Sequence, residues 1–381
     1  MGAPTNDNLA TNSCDSLEDA ILLADRRMVL ATAGGGSGAI ARLLSVPGAS
    51  ETVLQAVALQ AERAMTDWIG NRPPQFCSEG TARAMAVACW RRAQQLADNG
   101  EAEHCVGAAI TASLATTRPK RGDHRLHVAV HTDDSTHALN IVLEKGDRSR
   151  ADEEAIASRS VLATIADAIG AKPMDLSQTP PGMTVTARSQ AAPSDWQDLL
   201  AGQRRSAAVR LDADAPLRVL LPGSFNPPHA GHERMAEIAS QTVGAPTVYE
   251  LAVTNVDKPP LDFLEIADRL ATLCEAPVLL SRAPRFIDKA RLAPGCTFAV
   301  GADTIARLGD SRYCGGDPAV RDAQFEEIGA LGCRFLVFGR NFGAGFRTLN
   351  DIDLPAGLAQ LCTGVPEEDF RMDVSSTDLR G

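Results

Sequence analysis

The stretch Val219-Leu220-Leu221-Pro222-Gly223-Ser224-Phe225-Asn226-Pro227-Pro228-His229-Ala230-Gly231-His232 constrains the fold more than any other part of the chain. An apolar run suited to a buried strand enters a glycine turn, and two histidines three residues apart stand where a helix has to begin. Such a turn is half of a βα unit, and it aims the helix's unpaired N–H groups and partial positive charge at whatever binds there. Histidines in that place can hydrogen-bond phosphate oxygens, and Gly231 lets a triphosphate approach the backbone closely. An isolated His-x-x-His would read as a surface turn; the whole string is too specific for that.

From Leu217 onward, apolar runs at 217–221, 248–253, 278–281, 298–301 and 335–338 alternate with helical patterns beginning at His232 and covering 262–274 and 317–329. Strands alternating with helices predict a parallel, doubly wound sheet. The earlier part has its own series. Ser16 caps a helix, a strand covers 29–32, and the cluster Gly34-Gly35-Gly36-Ser37-Gly38 leads into a helix ending near Leu44. An apolar stretch at 53–59, a helix at 81–98, a strand at 105–112, a hairpin from 124–131 and 137–145, and a helix at 150–169 complete an α/β pattern with one sheet. Between Ala171 and Pro216 the composition turns to Pro, Ser, Gln and Thr, including Pro180-Pro181-Gly182, and reads as a linker with one short helix at 194–203. The expected organisation is a domain at 1–171, a linker at 172–215 and a second domain at 216–381.

With 381 residues the chain has room for two cores, and 44% hydrophobic with 22% charged residues is ordinary for a folded globular protein. A net charge of −11 argues against a general nucleic-acid-binding face, which needs an excess of cations, so small anionic ligands require a local positive site. No apolar run approaches the ~18–20 residues of a bilayer span, and no basic-then-apolar leader opens the chain, so neither a transmembrane helix nor a secretory signal is expected. Asn6 stands where a myristoylation motif wants Ser or Thr. Nine scattered cysteines without a Cys-x-x-Cys pair fit a reducing cytoplasm.

The 219–232 string resembles the Gly-x-Phe-x-Pro-x-His-x-Gly-His signature of the nucleotidylyltransferase superfamily, and its double proline resembles the nicotinamide or nicotinate mononucleotide adenylyltransferases. Val374-Ser375-Ser376-Thr377-Asp378-Leu379-Arg380 is similar to the superfamily's Ile-Ser-Ser-Thr-x-x-Arg, although here the sequence stops at Gly381 where members continue the helix. The resemblance covers about 217–380. Lys258 and Arg269 resemble the cations that follow the family's second strand, Gly301-Ala302-Asp303 its Gly-x-Asp, and Gly339-Arg340 its strand-end arginine. Ordinary alternatives stay open for these: a solvated loop cation for Lys258, a helix-surface arginine for Arg269, a helix cap for Asp303. Tyr313 and Phe342 are candidates for stacking on a pyridine ring. The resemblance implies an adenylyltransferase that joins ATP, with its Mg²⁺, to a mononucleotide phosphate and releases pyrophosphate. It assigns His229, His232, Lys258 and Arg380 to catalysis. Nucleotide binding falls to Gly223, Ser224, Phe225, Gly231, Arg269, Gly301, Asp303, Arg340, Ser375, Ser376 and Thr377. No protein-held metal is expected. Another triphosphate such as CTP with another phosphorylated acceptor, or a nucleotide-binding scaffold, are the competing readings.

Ala31-Thr32-Ala33, the glycine cluster, Arg42-Leu43 and Val46-Pro47-Gly48-Ala49-Ser50 resemble the C-terminal domain of the CinA family, which includes nicotinamide-nucleotide amidohydrolases. Members read Thr-Ala-Glu-Ser-Cys-Thr-Gly-Gly there; this chain lacks the Glu-Ser pair, keeps only Ser37 nearby, and has Leu59-Gln60-Ala61-Glu62-Arg63-Ala64 where members carry Tyr and Lys. A serine needs an activating base, so a non-catalytic domain is expected, with homo-oligomerisation through it. A bifunctional deamidase and adenylyltransferase is the further alternative. The fold expectation is thus a Rossmann-like parallel-sheet nucleotidyltransferase domain plus a separate α/β CinA-like domain.

Overall fold

A computed structural model describes residues 16–98, 104–117, 121–146, 148–176, 181–212, 215–254, 261–342 and 345–372, which divide into two compact units meeting in sequence at Ala191 and Ala192.

In the first unit the elements run α1 (Leu17–Leu22), β1 (Arg27–Ala33), α2 (Gly38–Leu44), α3 (Ala49–Thr52), β2 (Val53–Ala58), α4 (Glu62–Ile69), α5 (Glu79–Leu96), β3 (Cys105–Ser113), β4 (His124–Thr132), β5 (Ser135–Leu143), α6 (Arg150–Ala168) and β6 (Met183–Ala191). The sheet order is β2-β1-β3-β4-β5-β6, with β2, β1 and β3 parallel and the rest an antiparallel meander. Side chains alternate between the two faces. Val106, Ala108 and Ile110 of β3 pack with Val161, Leu162 and Ile165 of α6. Gly107, between them, faces α5, where a Cβ would lie 2.0 Å from the Ala86 carbonyl oxygen and 2.2 Å from the Trp90 nitrogen. Serine side chains accept from the first turns of α1, α5 and α6 at Ser16, Ser78 and Ser149.

The second unit runs α7 (Ser194–Ala201), β7 (Ser206–Val209), β8 (Val219–Pro222), α8 (Ala230–Val243), β9 (Thr247–Ala252), α9 (Phe263–Thr272), β10 (Val278–Ser281), α10 (Phe286–Leu292), β11 (Thr297–Gly301), α11 (Ala302–Gly309), α12 (Pro318–Ala330), β12 (Arg334–Phe338), β13 (Arg340–Phe342), β14 (Gly345–Arg347), α13 (Ala356–Ala359) and β15 (Cys362–Gly364). Its seven-stranded sheet has the order β15-β12-β11-β8-β9-β10-β7. All neighbours are parallel except β7, which pairs antiparallel with β10 at the edge. The chain leaves β8 outward through β9 and β10, then crosses back to β11 on the other side of β8. That reversal is a topological switch point, and ligands of such sheets bind beyond the carboxyl ends of the strands beside it.

The 172–215 segment, expected to be a linker, supplies strands to both units. β6 pairs along its whole length with β5, and β7 extends the second sheet. Strand edges need partners for their N–H and C=O groups whatever the side chains are, so polar composition did not keep this stretch out of the sheets.

Lys289 and Glu250 form a buried charged pair among the described residues of the second unit. Lys289 of α10 lies 2.9 and 2.8 Å from the two carboxylate oxygens of Glu250 on β9 and donates a third bond to the Ala283 carbonyl at 2.7 Å. The Ser281 hydroxyl also donates to Glu250. All three ammonium hydrogens therefore have acceptors.

Candidate active site

The β8–α8 turn sits beside the switch point. His229 is the N-cap of α8, and its Nδ1 accepts from the Gly231 N–H at 3.1 Å. The backbone N–H of His229 in turn donates to Nδ1 of His232 at 3.2 Å. The two imidazoles thus form a reciprocal cap, their ring centroids 3.8 Å apart. Because each Nδ1 accepts, the proton of each neutral ring is on Nε2. Burial, and then the positive charge of Arg340, push His229 below the ordinary histidine value; burial, His229 and Arg340 push His232 down to about 3. Both rings are neutral near pH 7 and present Nε2–H donors. His229 is only 8% exposed, and among the described residues its Nε2 has no hydrogen-bond partner. A buried donor left unsatisfied costs about 1–3 kcal/mol, which an anionic oxygen placed there would recover.

The rest of the turn is shaped around these rings. Phe225 is buried at 1% exposure with a φ of 45°, a region costly for a side chain, and is held by edge-on packing against His232 and Tyr249. Its ring explains Gly223, where a Cβ would lie 2.6 Å from two of the ring carbons. Gly231 is required because a Cβ there would lie 2.9 Å from the His229 ring.

Arg269 does not stand free as a ligand-binding cation. Its Nη1 donates to the Ser224 carbonyl at 3.0 Å and its Nε to Glu265 at 2.9 Å, so α9 pins the turn from the side. Glu265, which also accepts from Asn226 at 3.5 Å, is a part of this brace that the motif does not reveal.

Across the switch point, Gly301 ends β11 and caps α11. Asp303 is not the cap; its carboxylate lies 3.7 Å from Arg340 Nε and 3.6 Å from Arg307. A Cβ on Gly301 would lie 2.5 Å from Asp303 Oδ1 and 3.2 Å from Arg340 Cδ. Arg340 is the charge felt by both histidines, so the structure brings together Gly223, Ser224, Phe225, His229, Gly231, His232, Gly301, Asp303 and Arg340. Lys258, Ser375, Ser376, Thr377 and Arg380 lie outside the described residues, as do the side chains of Tyr313 and Phe342.

In the first unit, Gly34 and Gly36 have φ of 74° and 83°, and a Cβ on Gly34 would lie 2.0 Å from the Ala112 carbonyl oxygen. Ser37 Oγ is 3.2 Å from Glu154 Oε1, a partner 117 residues away that sequence reasoning missed. The same oxygen accepts from the Gly38 N–H at 3.2 Å, and Arg150 lies 3.7 Å from the other.

Among the described residues no helix is long and apolar enough to cross a membrane. No curated protein matches the sequence. Solved structures similar to the chain include a competence/damage-inducible protein from Agrobacterium tumefaciens, at 16% identity over 41% of this chain and 94% of that one, with a TM-score of 0.32. A competence or damage-inducible protein from Enterobacter asburiae matches at 16% identity over 41% and 98%, with a TM-score of 0.33. A CinA-superfamily protein from Escherichia coli matches at 16% identity over 44% and 99%, also at 0.33. Residues 220–381 match the family described as cytidylyltransferase-like. That match begins on β8, contains the whole histidine turn, and supports nucleotidyl transfer. Over those residues the chain is similar to the cytidylyltransferase-like family of nucleotidyltransferases.

Proposed function

We propose that the C-terminal unit transfers the adenylyl group of ATP to the phosphate of a nicotinamide or nicotinate mononucleotide, giving an NAD-type dinucleotide and pyrophosphate. The observation that carries this reading is the pair of neutral imidazoles at the start of α8, with the buried Nε2–H of His229 unsatisfied. A neutral donor suits a triphosphate, whose charge it stabilises without taking a proton from solvent. In the reaction an oxygen of the acceptor phosphate attacks the α-phosphorus in line, the bond from that phosphorus to the bridging oxygen breaks, and pyrophosphate leaves with the electron pair. Catalysis comes from positioning and charge stabilisation. His229 and His232 donate to triphosphate oxygens; Arg340 adds positive charge; Lys258, Ser376 and Arg380 are assigned to the phosphates on the motif alone. Among the described residues no three His, Cys, Asp or Glu side chains group to hold a metal. Mg²⁺ would arrive on the triphosphate, where it would neutralise phosphate oxygens.

A second reading, cytidylyl transfer from CTP to another phosphorylated acceptor, is favoured by the description of the matching family. Pyrophosphate release measured with each of four triphosphates against a panel of phosphorylated acceptors separates the two. ATP with a pyridine mononucleotide is the expected pair, and turnover confined to CTP would overturn it. The first unit we propose to be non-hydrolytic. Glu154 is shared among Ser37, Gly38, Ser158 and Arg150 and anchors the glycine loop. Nicotinamide mononucleotide should yield no ammonia; release abolished by Ser37→Ala would show the opposite.

A further inference from the structure

At the carboxyl end of β10, on the edge closed by β7, a cavity of about 330 Å³ is lined by Gly202, Arg204, Arg205, Arg282, Asp288 and Leu292. The β7–β10 ladder runs antiparallel with Ser281 opposite Ser206, and the Arg282 N–H donates to the Arg205 carbonyl at 3.0 Å. Arg282 and Arg205 are therefore directly opposed across the strands. Like charges so placed destabilise a sheet unless something of opposite sign lies between them.

The nearby carboxylates do not provide it. Asp195 is paired with Arg204, and both oxygens of Asp288 accept from Arg285, at 2.9 and 3.0 Å. Arg205 has no side-chain partner among the described residues. Arg282 is fixed in place: its Nη1 donates to the Leu199 and Leu200 carbonyls at 3.0 and 2.7 Å, closing the end of α7. Its guanidinium lies over Gly202, whose φ of 88° and missing Cβ admit it; a Cβ there would be 3.2 Å from Nη1. One held guanidinium and one unengaged guanidinium thus share a cavity with net positive charge, in a chain whose net charge is −11.

We propose that this cavity binds a phosphate group, free or carried on an ester. A guanidinium offers a planar fork of N–H donors, and a phosphate, with more oxygens and up to two negative charges, suits two forks at once better than a carboxylate does. The site is separate from the histidine turn, since β10 is two strands from β8, roughly 10 Å across the sheet. It does not depend on the transfer reaction.

The test uses the full chain carrying His229→Asn and His232→Ala, so that phosphate binding at the histidine turn is weakened, and the Arg205 variant below separates what remains there from the cavity. Inorganic phosphate, pyrophosphate and AMP are titrated in separate calorimetric runs at two salt concentrations. Saturable one-to-one binding that weakens with salt is expected for at least one of them. Of the binding that Arg205→Glu weakens, AMP tighter than inorganic phosphate identifies an esterified ligand, and the reverse a free one. Adding Arg205→Glu should weaken binding by about tenfold or more, the loss of a charge-assisted contact. Because Arg205→Glu also removes the opposed like charges, its melting temperature without ligand should not fall. No saturable binding by the histidine double variant, or equal binding after Arg205→Glu, would overturn the proposal.

Discussion

Replacing Lys289 by methionine should produce a large, pH-dependent loss of stability. Lys289 is 5% exposed and Glu250 1% exposed, and the ammonium makes two bonds to the carboxylate and one to the Ala283 carbonyl. Methionine matches the length of the stem but leaves a carboxylate buried beside the sheet with only the Ser281 hydroxyl. Removing one partner of a buried pair costs about 3–5 kcal/mol. The stranded carboxyl can escape by taking a proton, which for an ordinary glutamate costs about 3–4 kcal/mol at pH 7 and less as the pH falls. The two figures agree, so the expected penalty at pH 7 is ~3–4 kcal/mol, on the order of 10 °C in melting temperature for a unit of this size. At pH 5 it should shrink to about 1 kcal/mol. The sign follows from linkage: the folded variant binds a proton that its unfolded chain does not, so its stability rises as pH falls. Urea melts of wild type, Lys289→Met and Glu250→Gln/Lys289→Met at pH 5 and pH 8 measure this, and the double variant should recover most of the loss. A penalty equal at both pH values, and not relieved in the double variant, would mean that the cost is packing and that the buried-charge argument fails.

Gly107→Ala should destabilise the first unit by at least 1–3 kcal/mol in thermal melts, because its Cβ would meet the backbone of α5 at 2.0 Å and neither element can yield cheaply. Gly301→Ala should push Asp303 and Arg340 apart and raise KM for the triphosphate several-fold in the pyrophosphate assay, with the fold kept. The second unit should lose stability in acid. His232 is held at about 3 when folded against ~6.5 unfolded, so its contribution is complete above about pH 6.5 and lost as the pH falls toward 3. The slope is at most ~1.4 kcal/mol per pH unit and less for a half-buried ring, and His232→Gln should flatten it.

The strand and helix series was readable wherever local pattern decides it. β10 begins and ends at Val278 and Ser281 as the apolar run predicts, and α9 begins after Asp262, whose side chain accepts from Glu265. β6 was missed: Met183-Thr184-Val185-Thr186-Ala187 alternates, and Met183 and Val185 pack on the first core, but the alternation is short, the strand is a mostly exposed edge, and it lies in a Pro-, Ser- and Gln-rich stretch. α10 follows Arg285 and α11 follows Gly301, and neither offers a side-chain cap to announce a helix. The histidine turn was legible because its chemistry is packed into fourteen consecutive residues. The bonds from Arg269 to Ser224 and from Ser37 to Glu154 join residues 45 and 117 apart, and only the folded chain brings them together.

The proposed function requires that His229 and His232 hold a triphosphate through neutral Nε2–H donors. The direct measurement is steady-state pyrophosphate release by wild type, His232→Ala, and His229→Asn, whose asparagine is itself a good helix cap and so spares the start of α8. With circular dichroism and melting unchanged, turnover should fall by about two to three orders of magnitude in each, the usual loss for a donor that stabilises developing charge. Folded variants that release pyrophosphate at the wild-type rate would contradict the account.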